Sequence, residues 1–328
     1  MRAAWYEKNG AAREVLQTGA LPDPEPQAGE VRVRLMASGV NPSDVKSRQG
    51  RPLIAAKIIP HSDGAGIIDA VGAGVPASRI GERVWTWNGQ WKRPSGTAAE
   101  YIALPSAQAV HLPDNTDFAA GACLGIPALT AWQALELLGD ISGKTILVIG
   151  ASSAVGHYTT QIATRDKGAI VIGTVGSATK AEHARSAGAS STINYKEEDV
   201  AAQVLRLTDG RGVDAIIDMD LSTTVTLIPS GCLAYHGTIV CYGSNVMDKV
   251  AIPFRDVLFR SLTLKFFVVY ELLPADRERA TAGISRLLAA GKLQHALGRS
   301  FPIEEIAAAH EAVEQGSGNI GNVTLNCN

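Results

Sequence analysis

The segment 144–156 constrains the fold of this chain most strongly. A charged residue opens a continuous apolar run, tiny residues follow it, and a helical pattern covers 158–167. A strand buried on both faces, a tight turn and the start of a helix produce this order. Small residues at such a turn let the amides of the helix N-terminus approach a pyrophosphate, whose charge the helix dipole favours. The usual Gly-x-Gly-x-x-Gly is altered to Ala151-x-Ser153-x-x-Gly156, so by itself the motif is weak evidence.

The next strand indicates which dinucleotide is bound. A second apolar run at 170–174 ends in Thr174-Val-Gly-Ser177, and the first charged side chain after it is Lys180. Enzymes that prefer NAD usually place Asp or Glu here, to bind the ribose 2′-hydroxyl. A carboxylate would repel a 2′-phosphate, whereas a small hydroxyl and a lysine would hold one. We therefore predict NADP (NADPH) as the cofactor; the alternative is that Lys180 is only a solvated helix residue.

Length and composition limit the number of domains, the kinds of partner and the cellular location that we expect. The chain has 328 residues, 46% of them hydrophobic and 19% charged, with a formal net charge of -2. This length predicts two domains with substantial cores. The near-neutral charge argues against nucleic acid or a membrane surface as a partner. No signal-peptide core is present and no apolar run approaches about 18 residues, so we expect a soluble, cytoplasmic protein.

The chain changes texture along its length. Up to about residue 120, short alternating runs are broken by Gly, Pro and Asn turns, which is typical of strands. After about residue 127 strands and helices alternate, and this predicts an α/β fold with a parallel sheet wound on both faces. Helices are predicted from Pro274 and over 303–315, and a final strand from Asn322. The strands of the parallel sheet are predicted near 145–149, 170–174, 191–194, 213–218 and 237–242.

Several short segments, taken in order, carry a family resemblance. They are Ser38-Gly-Val-Asn-Pro-Ser-Asp-Val-Lys-Ser-Arg-Gln-Gly50, Pro60-His-Ser-Asp-Gly-Ala-Gly66, Gly81-Glu-Arg-Val, Gly96-Thr-Ala-Ala-Glu-Tyr101 and Ile193-Asn-Tyr195, together with the turn at 150–156. Their order and spacing resemble the zinc-independent branch of the medium-chain dehydrogenase/reductases. More closely, the chain is similar to the zeta-crystallin-like NADPH:quinone oxidoreductases and the alkenal/one oxidoreductases.

The resemblance implies a domain arrangement. A β-rich, GroES-like catalytic domain would comprise 1–125 and 265–328, with a doubly wound parallel-sheet nucleotide-binding domain of 126–264 inserted into it and the active site in the cleft. It also implies a homodimer, made by edge pairing of the last nucleotide-domain strand at about 262–268. That apolar stretch would be an aggregation hazard as an exposed edge. Burial within one subunit is the alternative.

The resemblance also bears on metal binding. Zinc-dependent relatives place Cys where Asn41 stands, a His-Glu pair at Ser62-Asp63, and a four-cysteine lobe near 88–110. The four cysteines of this chain are at 123, 232, 241 and 327, so none occupies these places. A tetrahedral zinc site lacks its ligands, and we predict that no metal is bound. His61 is interpreted as a loop histidine.

The predicted catalytic residues are Asn41, Asp44 and Lys46, because the resemblance puts their segment on the substrate side of the nicotinamide. Asn41 could bind the carboxamide or the substrate oxygen. Lys46, where many quinone oxidoreductases have Tyr, could donate to an enolate oxygen; alternatively it shares a solvated face of an extended loop with Arg48. Asp44 either has a direct role, or orients Lys46 or caps a short helix.

The resemblance extends the predicted cofactor site beyond Thr174, Ser177 and Lys180. Tyr195 would also contact the 2′-phosphate, and Thr130 would lie beside the nicotinamide. Residues at the pyrophosphate would be Gly150, Ser152, Ser153, Ala154, Val155 and Gly156. Those near the nicotinamide ribose would be Tyr242 and Ser244. Near the C-terminus, where the family often has a basic residue on the 2′-phosphate, the candidate is Asn322.

The predicted function is a metal-free, NADPH-dependent reductase. Without a metal to polarise oxygen, the acceptor must already be activated, and quinones and α,β-unsaturated aldehydes or ketones qualify. The substrate is therefore predicted to be a small quinone or conjugated carbonyl compound. One alternative is an enoyl-thioester (enoyl-CoA) reductase, which would need a basic groove for the CoA arm. Another is a non-enzymatic NADPH-binding protein, crystallin-like or a sensor.

Overall fold

The structure, a computed structural model, describes residues 1–246, 248–316 and 320–328. The chain forms two compact units. The first contains 1–127, 284–291 and 295–328, and the second contains 128–283 and 292–294. The second unit therefore reaches further along the chain than the predicted 126–264, whose end falls inside a strand of its sheet.

The described residues form fifteen strands and eleven α-helices. The strands are β1 (Arg2–Trp5), β2 (Gln17–Ala20), β3 (Glu30–Val40), β4 (Asp63–Val71), β5 (Arg83–Thr86), β6 (Tyr101–Pro105), β7 (Ala109–His111), β8 (Thr145–Val148), β9 (Ile170–Val175), β10 (Ser191–Asn194), β11 (Val213–Asp218), β12 (Leu233–Cys241), β13 (Thr263–Phe266), β14 (Leu297–Pro302) and β15 (Asn322–Asn326). The helices are α1 (Ala12–Val15), α2 (Pro42–Gly50), α3 (Phe118–Gly121), α4 (Pro127–Glu136), α5 (Ala154–Gln161), α6 (Ala178–Ser186), α7 (Val200–Leu207), α8 (Leu221–Thr224), α9 (Phe254–Phe259), α10 (Pro274–Ala289) and α11 (Ile306–Gln315).

The first unit is built on a mostly antiparallel sheet with the order β14-β15-β3-β4-β5-β7, and β6 also pairs with β3. Its central strand, β3, alternates as its sequence predicts. Val31, Val33 and Leu35 are buried in the core, whereas Arg32 and Arg34 point away from it. Since every second residue of β3 is apolar, one face of the sheet is committed to this core.

The second unit contains a six-stranded, fully parallel sheet with the order β10-β9-β8-β11-β12-β13. The order reverses between β8 and β11, so the sheet has the doubly wound topology and its switch point there. The predicted α/β fold class is confirmed, and each of the five predicted strands overlaps an observed one. The apolar run 145–149 needs no alternation, because helices cover both faces of a parallel sheet.

The C-terminal predictions are also met in outline. α10 begins at Pro274, which fits a residue without an N–H in the first turn. The predicted helix over 303–315 becomes a 3₁₀ turn at Ile303–Glu305 followed by α11. Among the described residues, no helix combines the length and hydrophobicity needed to cross a bilayer.

Candidate active site

A cavity of about 570 Å³ lies in the second unit, at the carboxyl ends of its parallel strands. Its lining includes residues that follow or end five neighbouring strands: Gly150, Thr174, Tyr195, Asp220 and Asn245. Ligands of doubly wound sheets bind at this edge, near the switch point. Three of these five, Gly150, Thr174 and Tyr195, were predicted as cofactor residues from the sequence.

The turn after β8 is held tightly to the next strand. The Gly150 N–H donates to Thr174 Oγ1 over 2.9 Å, and the Ala151 N–H donates to the Thr174 carbonyl over 3.0 Å. Gly150 has a φ of +69°, in the left-handed region that favours glycine. A Cβ on Gly156 would overlap the Gly150 carbonyl and lie 2.8 Å from Ala151 Cα. The backbone therefore comes too close for any side chain at 156.

The altered motif residue Ser153 is the N-cap of α5. Its Oγ accepts a hydrogen bond from the Gly156 N–H over 3.0 Å. Serine is among the best N-cap residues, so the departure from glycine stabilises the helix start. The partly exposed residues Ser152, Ala154 and Val155 complete the turn. First-turn amides have no intrahelical partner, so this turn can still receive an anion.

A second cluster surrounds Gly176 at the end of β9. A Cβ on Gly176 would lie 2.9 Å from Tyr195 Oη and 3.4 Å from Lys196 Cε. Ser177 caps α6 by accepting from the Lys180 N–H over 3.3 Å. Neither Lys180 nor Lys196 forms an ion pair within the described parts of the chain. Two hydroxyls and the Lys196 cation thus stand at this corner, and Lys180 follows in the first turn of α6; this set of groups suits a 2′-phosphate.

Lys196 is a candidate that the sequence analysis missed. It follows Tyr195 directly, so its position next to a predicted phosphate ligand was the available signal. Alternation along a strand would have sent it to the opposite face. The chain turns immediately after β10, with the Lys196 N–H donating to Asn194 Oδ1 over 3.3 Å, and this turn brings both side chains to Gly176.

The sequence analysis also missed a pair of hydrogen bonds between Asp220, which follows β11, and Asn245, which follows β12. We call this pair the latch. Asp220 Oδ1 accepts from the Asn245 N–H over 2.8 Å, and Oδ2 accepts from Asn245 Nδ2 over 2.6 Å. Burial acts to raise the pKa of Asp220, but hydrogen bonds from Ser222 and Asn245 outweigh it and hold the pKa below its usual range. Asp218 supports the latch by accepting from the Asp220 N–H over 2.8 Å, and its own pKa is raised by burial to about 6.

The latched segment carries two predicted cofactor residues. The Tyr242 N–H donates to the Asp218 carbonyl over 3.1 Å, and burial raises the pKa of the Tyr242 phenol. Ser244 Oγ is buried and has no hydrogen-bond partner among the described residues. A buried hydroxyl without a partner is costly, so Ser244 fits a residue that binds a ligand. Thr130, the other residue predicted near the nicotinamide, is buried in α4.

In the first unit, Asn41 and Asp44 form the start of α2. The Asn41 N–H donates to Asp44 Oδ2 over 2.8 Å, and Asn41 Nδ2 donates to Asp63 Oδ2 over 2.9 Å. Both residues are buried, and burial raises the pKa of Asp44 to about 7. The geometry gives Asp44 the helix-capping role that the sequence analysis left open. A direct part in catalysis stays a prediction for both residues.

Lys46 and Arg48 do not share a face, so that interpretation was wrong. The segment is helical rather than extended, and residues two apart in an α-helix lie about 200° apart around its axis. Arg48 is fully buried, pairs with Glu314 and donates to the Gly10 carbonyl. Lys46 is exposed. Its predicted role toward the substrate stays a prediction.

His61 belongs to a chain of buried hydrogen bonds that ends at the Asp63 carbonyl. Because a carbonyl can only accept, it determines which atom donates at every step of the chain. Thr97 Oγ1 donates to the Asp63 carbonyl over 2.7 Å, so the Ser38 hydroxyl must donate to Thr97 over 2.8 Å. Ser38 then accepts from His61 Nδ1–H, and His61 Nε2 accepts from His310 Nε2–H, each over 2.9 Å. Burial lowers the pKa of His61 to about 3, so its ring is neutral.

Two further predictions concern metal ligands and the C-terminus. Among the described residues, no group of three or more His, Cys, Asp or Glu side chains is placed to hold a metal ion. Asn322 begins β15, is buried, and donates through Nδ2 to the Ala296 carbonyl over 3.0 Å. The structure therefore gives Asn322 a partner within its own unit, and its cofactor role stays a prediction.

Comparison with known proteins agrees with the folds of both units. Residues 27–114 match the family described as alcohol dehydrogenase GroES-like domain, and 154–286 match the family described as zinc-binding dehydrogenase. Human quinone oxidoreductase is 30% identical over 311 residues, covering 92% of this chain and 90% of the relative. A 2-haloacrylate reductase from Burkholderia sp is 31% identical over 340 residues, covering 99% and 98%.

Two solved structures are similar over nearly the whole chain. A structure described as an NAD-dependent alcohol dehydrogenase has a TM-score of 0.90 at 32% identity, covering 99% of both chains. The Escherichia coli quinone oxidoreductase, determined with NADPH, has a TM-score of 0.88 at 25% identity, covering 99% of this chain and 100% of the other. The chain belongs to the zeta-crystallin-like quinone oxidoreductase family of the medium-chain dehydrogenase/reductases.

Proposed function

We propose that this protein is an NADPH-dependent reductase that transfers hydride to quinones or to α,β-unsaturated aldehydes and ketones. The observation that carries the proposal is the corner around Gly176, where Tyr195 and Lys196 meet, and the segment 174–180, which contains Ser177 and Lys180 and no acidic residue. Such a corner favours a 2′-phosphate over a free 2′-hydroxyl. The NADPH complex of the Escherichia coli relative supports the same cofactor.

Other residues at the carboxyl ends of the parallel strands suit the rest of the dinucleotide. The turn from Gly150 to Gly156 would hold the pyrophosphate, because its backbone is open to close approach and α5 begins there. Ser244 Oγ would bind the nicotinamide ribose region, since it has no partner among the described residues. Bound NADPH would supply the hydride. The Asp220 latch would keep the Ser244 segment in place during this step.

The acceptor side rests on the first unit. Asn41 lies buried at the start of α2, and its side-chain amide nitrogen donates to Asp63 over 2.9 Å, which fixes the orientation of the amide. Lys46 is exposed and forms no ion pair in the part of the chain that the structure describes. A donor that meets an enolate or quinol oxygen lowers the barrier as charge develops there. We propose these two residues for that role, and Asp44 as the residue that positions Asn41.

The names of the relatives favour quinones as acceptors. The 2-haloacrylate reductase from Burkholderia sp adds a second candidate class of acceptor, activated alkenes that carry an acid group. These acceptors share one requirement: the carbon that takes hydride must be conjugated to a group that accepts the charge. An enoyl thioester meets it too, and a non-enzymatic NADPH-binding protein would use the same cavity. The alternatives therefore differ in turnover, not in cofactor binding.

NADPH oxidation across a panel of acceptors tests the proposal. The panel should hold simple quinones, enals, enones and crotonyl-CoA, with NADH as the comparison cofactor. Lys46→Met should lower kcat and leave the NADPH affinity unchanged. Lys8, another exposed lysine of the first unit, gives the matched control Lys8→Met. Turnover of crotonyl-CoA alone would indicate an enoyl-thioester reductase instead. Tight NADPH binding without turnover of any acceptor would indicate a non-enzymatic NADPH-binding protein.

We also propose a cytoplasmic homodimer. β13 is an edge strand of the parallel sheet. Phe266 on it is 58% exposed, and Phe254 and Phe259 on α9 are 72% and 69% exposed. Large apolar side chains in such numbers beside an open strand edge indicate a surface that a partner covers. A second copy, pairing edge to edge, would cover it.

A further inference from the structure

We propose that Met219 is an oxidation-sensitive residue of the cofactor cavity, and that its conversion to the sulfoxide by hydrogen peroxide lowers the affinity for NADPH. Met219 follows β11 and lies in the wall of the cavity of about 570 Å³ at the carboxyl ends of the parallel strands. This inference rests on the proposed use of that cavity by the dinucleotide. It does not depend on which acceptor is reduced, because its readouts are binding and chemical modification.

The Met219 thioether packs against the turn that we propose for the pyrophosphate. A Cβ built on Gly150 would lie 2.5 Å from Met219 Sδ and 3.9 Å from its Cε. The same Cβ would lie 3.8 Å from the hydroxyl of Ser153, which caps α5. The sulfur is therefore close to the backbone of Gly150, and an oxygen added to it is added beside the turn.

The backbone on both sides of Met219 is held in place. The Asp220 N–H donates to Asp218 Oδ1 over 2.8 Å, and the Leu221 N–H donates to the Gly243 carbonyl over 3.3 Å. A Cβ on Gly243 would lie only 2.7 Å from the Met219 carbonyl oxygen, so the two segments are also in close contact. A shift of the backbone away from the cavity is therefore opposed, and the Met219 side chain stays in the cavity wall.

Among the described residues, Met219 is the methionine most open to an oxidant in solution. It is 39% exposed, whereas Met1 and Met36 are partly buried. All four cysteines are buried, and burial raises the pKa of the Cys241 thiol to about 11. Thiols react with peroxide as thiolates, so a buried and protonated cysteine competes poorly for the oxidant.

The modification is a two-electron oxidation of the Met219 sulfur. A sulfur lone pair attacks one oxygen of the peroxide, an S–O bond forms and the O–O bond breaks. The hydroxide that leaves takes the proton of the transferred oxygen and becomes water, so the sulfur is oxidised and the peroxide is reduced. The product has a polar, chiral sulfoxide where an apolar thioether stood.

A sulfoxide oxygen at this place opposes cofactor binding. The Gly150 and Ala151 amides already donate to Thr174. Any first-turn amide of α5 that the sulfoxide oxygen bonded would be lost to the pyrophosphate. Without a donor, the oxygen would give up its water when the cofactor covers it, at the cost of a buried, unpaired acceptor. In either case the affinity for NADPH should fall, by about 5- to 150-fold.

Binding before and after oxidation tests the proposal. Wild type, Met219→Leu and the control Met36→Leu are treated with hydrogen peroxide, freed of it and titrated with NADPH by calorimetry. Leu has nearly the volume of Met but no sulfur. The Kd of wild type and of Met36→Leu should rise by about 5- to 150-fold, whereas that of Met219→Leu should change by less than about twofold. Methionine sulfoxide reductases for both epimers should restore the Kd of oxidised wild type.

Protection by bound cofactor gives a second readout. Saturating NADP⁺ should slow sulfoxide formation at Met219, measured by peptide mass spectrometry, and leave the rate at Met36 unchanged. The inference is wrong if Met219 resists peroxide, if NADP⁺ does not protect it, if its oxidation leaves the Kd unchanged, or if Met219→Leu loses affinity as wild type does. If the expected effects on binding appear but no acceptor is reduced, the reductase proposal fails and this inference stands.

Discussion

Replacing Asp44 by Asn should remove a pH dependence of stability that this one carboxyl imposes. Asp44 is buried at the start of α2 and accepts from the Asn41 N–H over 2.8 Å. Burial raises its pKa from 3.8 to about 7. In the unfolded chain the group ionises near pH 3.8, so between these values the folded protein holds a proton that the unfolded chain has lost. Stability must then fall as the pH rises through this window.

The magnitude follows from the size of the shift. Each pKa unit corresponds to about 1.4 kcal/mol, and a shift of about three units gives about 4 kcal/mol as an upper value. The stabilising effect of the protonated carboxyl is complete below about pH 4 and is lost by about pH 7. Asn keeps an oxygen that can accept from the Asn41 N–H, but it does not titrate. Asp44→Asn should therefore gain stability relative to wild type as the pH increases.

Urea unfolding at pH 4.5, 5.5, 6.5 and 7.5 measures this difference directly. The free energy of unfolding of Asp44→Asn minus that of wild type should increase by a few kcal/mol across the series. Glu197→Gln, which removes an exposed carboxyl, should give a difference that stays within about 0.5 kcal/mol. A difference for Asp44→Asn that is flat, or that decreases with pH, would mean that the carboxyl is charged in the folded protein, and the argument from burial would be wrong.

The remaining predictions concern the cofactor site, the metal and assembly. Lys180→Ala and Lys196→Ala should each raise KM for NADPH, by an amount that corresponds to a loss of about 1–3 kcal/mol in binding free energy, and should leave KM for NADH unchanged. Equal effects on both cofactors would show that the substituted lysine does not contact the 2′-phosphate. Asp220→Ala should weaken NADPH binding and lower Tm, because it removes both bonds to Asn245; unchanged values would show that the latch is not needed. Prolonged chelation should leave activity intact and elemental analysis should find less than stoichiometric zinc. Phe266→Lys should shift the mass measured by light scattering from dimer to monomer, and a monomeric wild type would contradict the dimer.

The parallel sheet was predictable because each of its strands carries its own signal. An apolar run such as 145–149 between turn residues is sufficient to place a strand, whichever neighbour it pairs with. The residues around Gly176, which we propose for the 2′-phosphate, were partly predictable for a similar reason, since Ser177, Lys180 and Tyr195 follow strand ends. Lys196 was missed because the position of its side chain depends on a turn after β10, and strand alternation says nothing about a turn.

The error at Lys46 and Arg48 has a different cause. The sequence analysis compared Lys46 with Arg48 as residues of an extended loop, and left open a short helix capped by Asp44. This helix is specified by the Asn41–Asp44 pair and by burial of Arg48 against Glu314, which lies 266 residues later. Local propensity cannot show an ion pair across that separation.

The latch at Asp220 shows why sequence motifs do not predict the whole geometry of the site. Asp220 and Asn245 lie 25 residues apart, at the ends of two strands that pair side by side. Neither residue belongs to a glycine-rich turn or follows a phosphate signature. Their pairing fixes the segment that contains Ser244, whose hydroxyl is buried without a partner among the described residues. A buried, unpaired hydroxyl is tolerated where a ligand completes it, so we propose that the latch keeps Ser244 in position for a hydrogen bond to the cofactor.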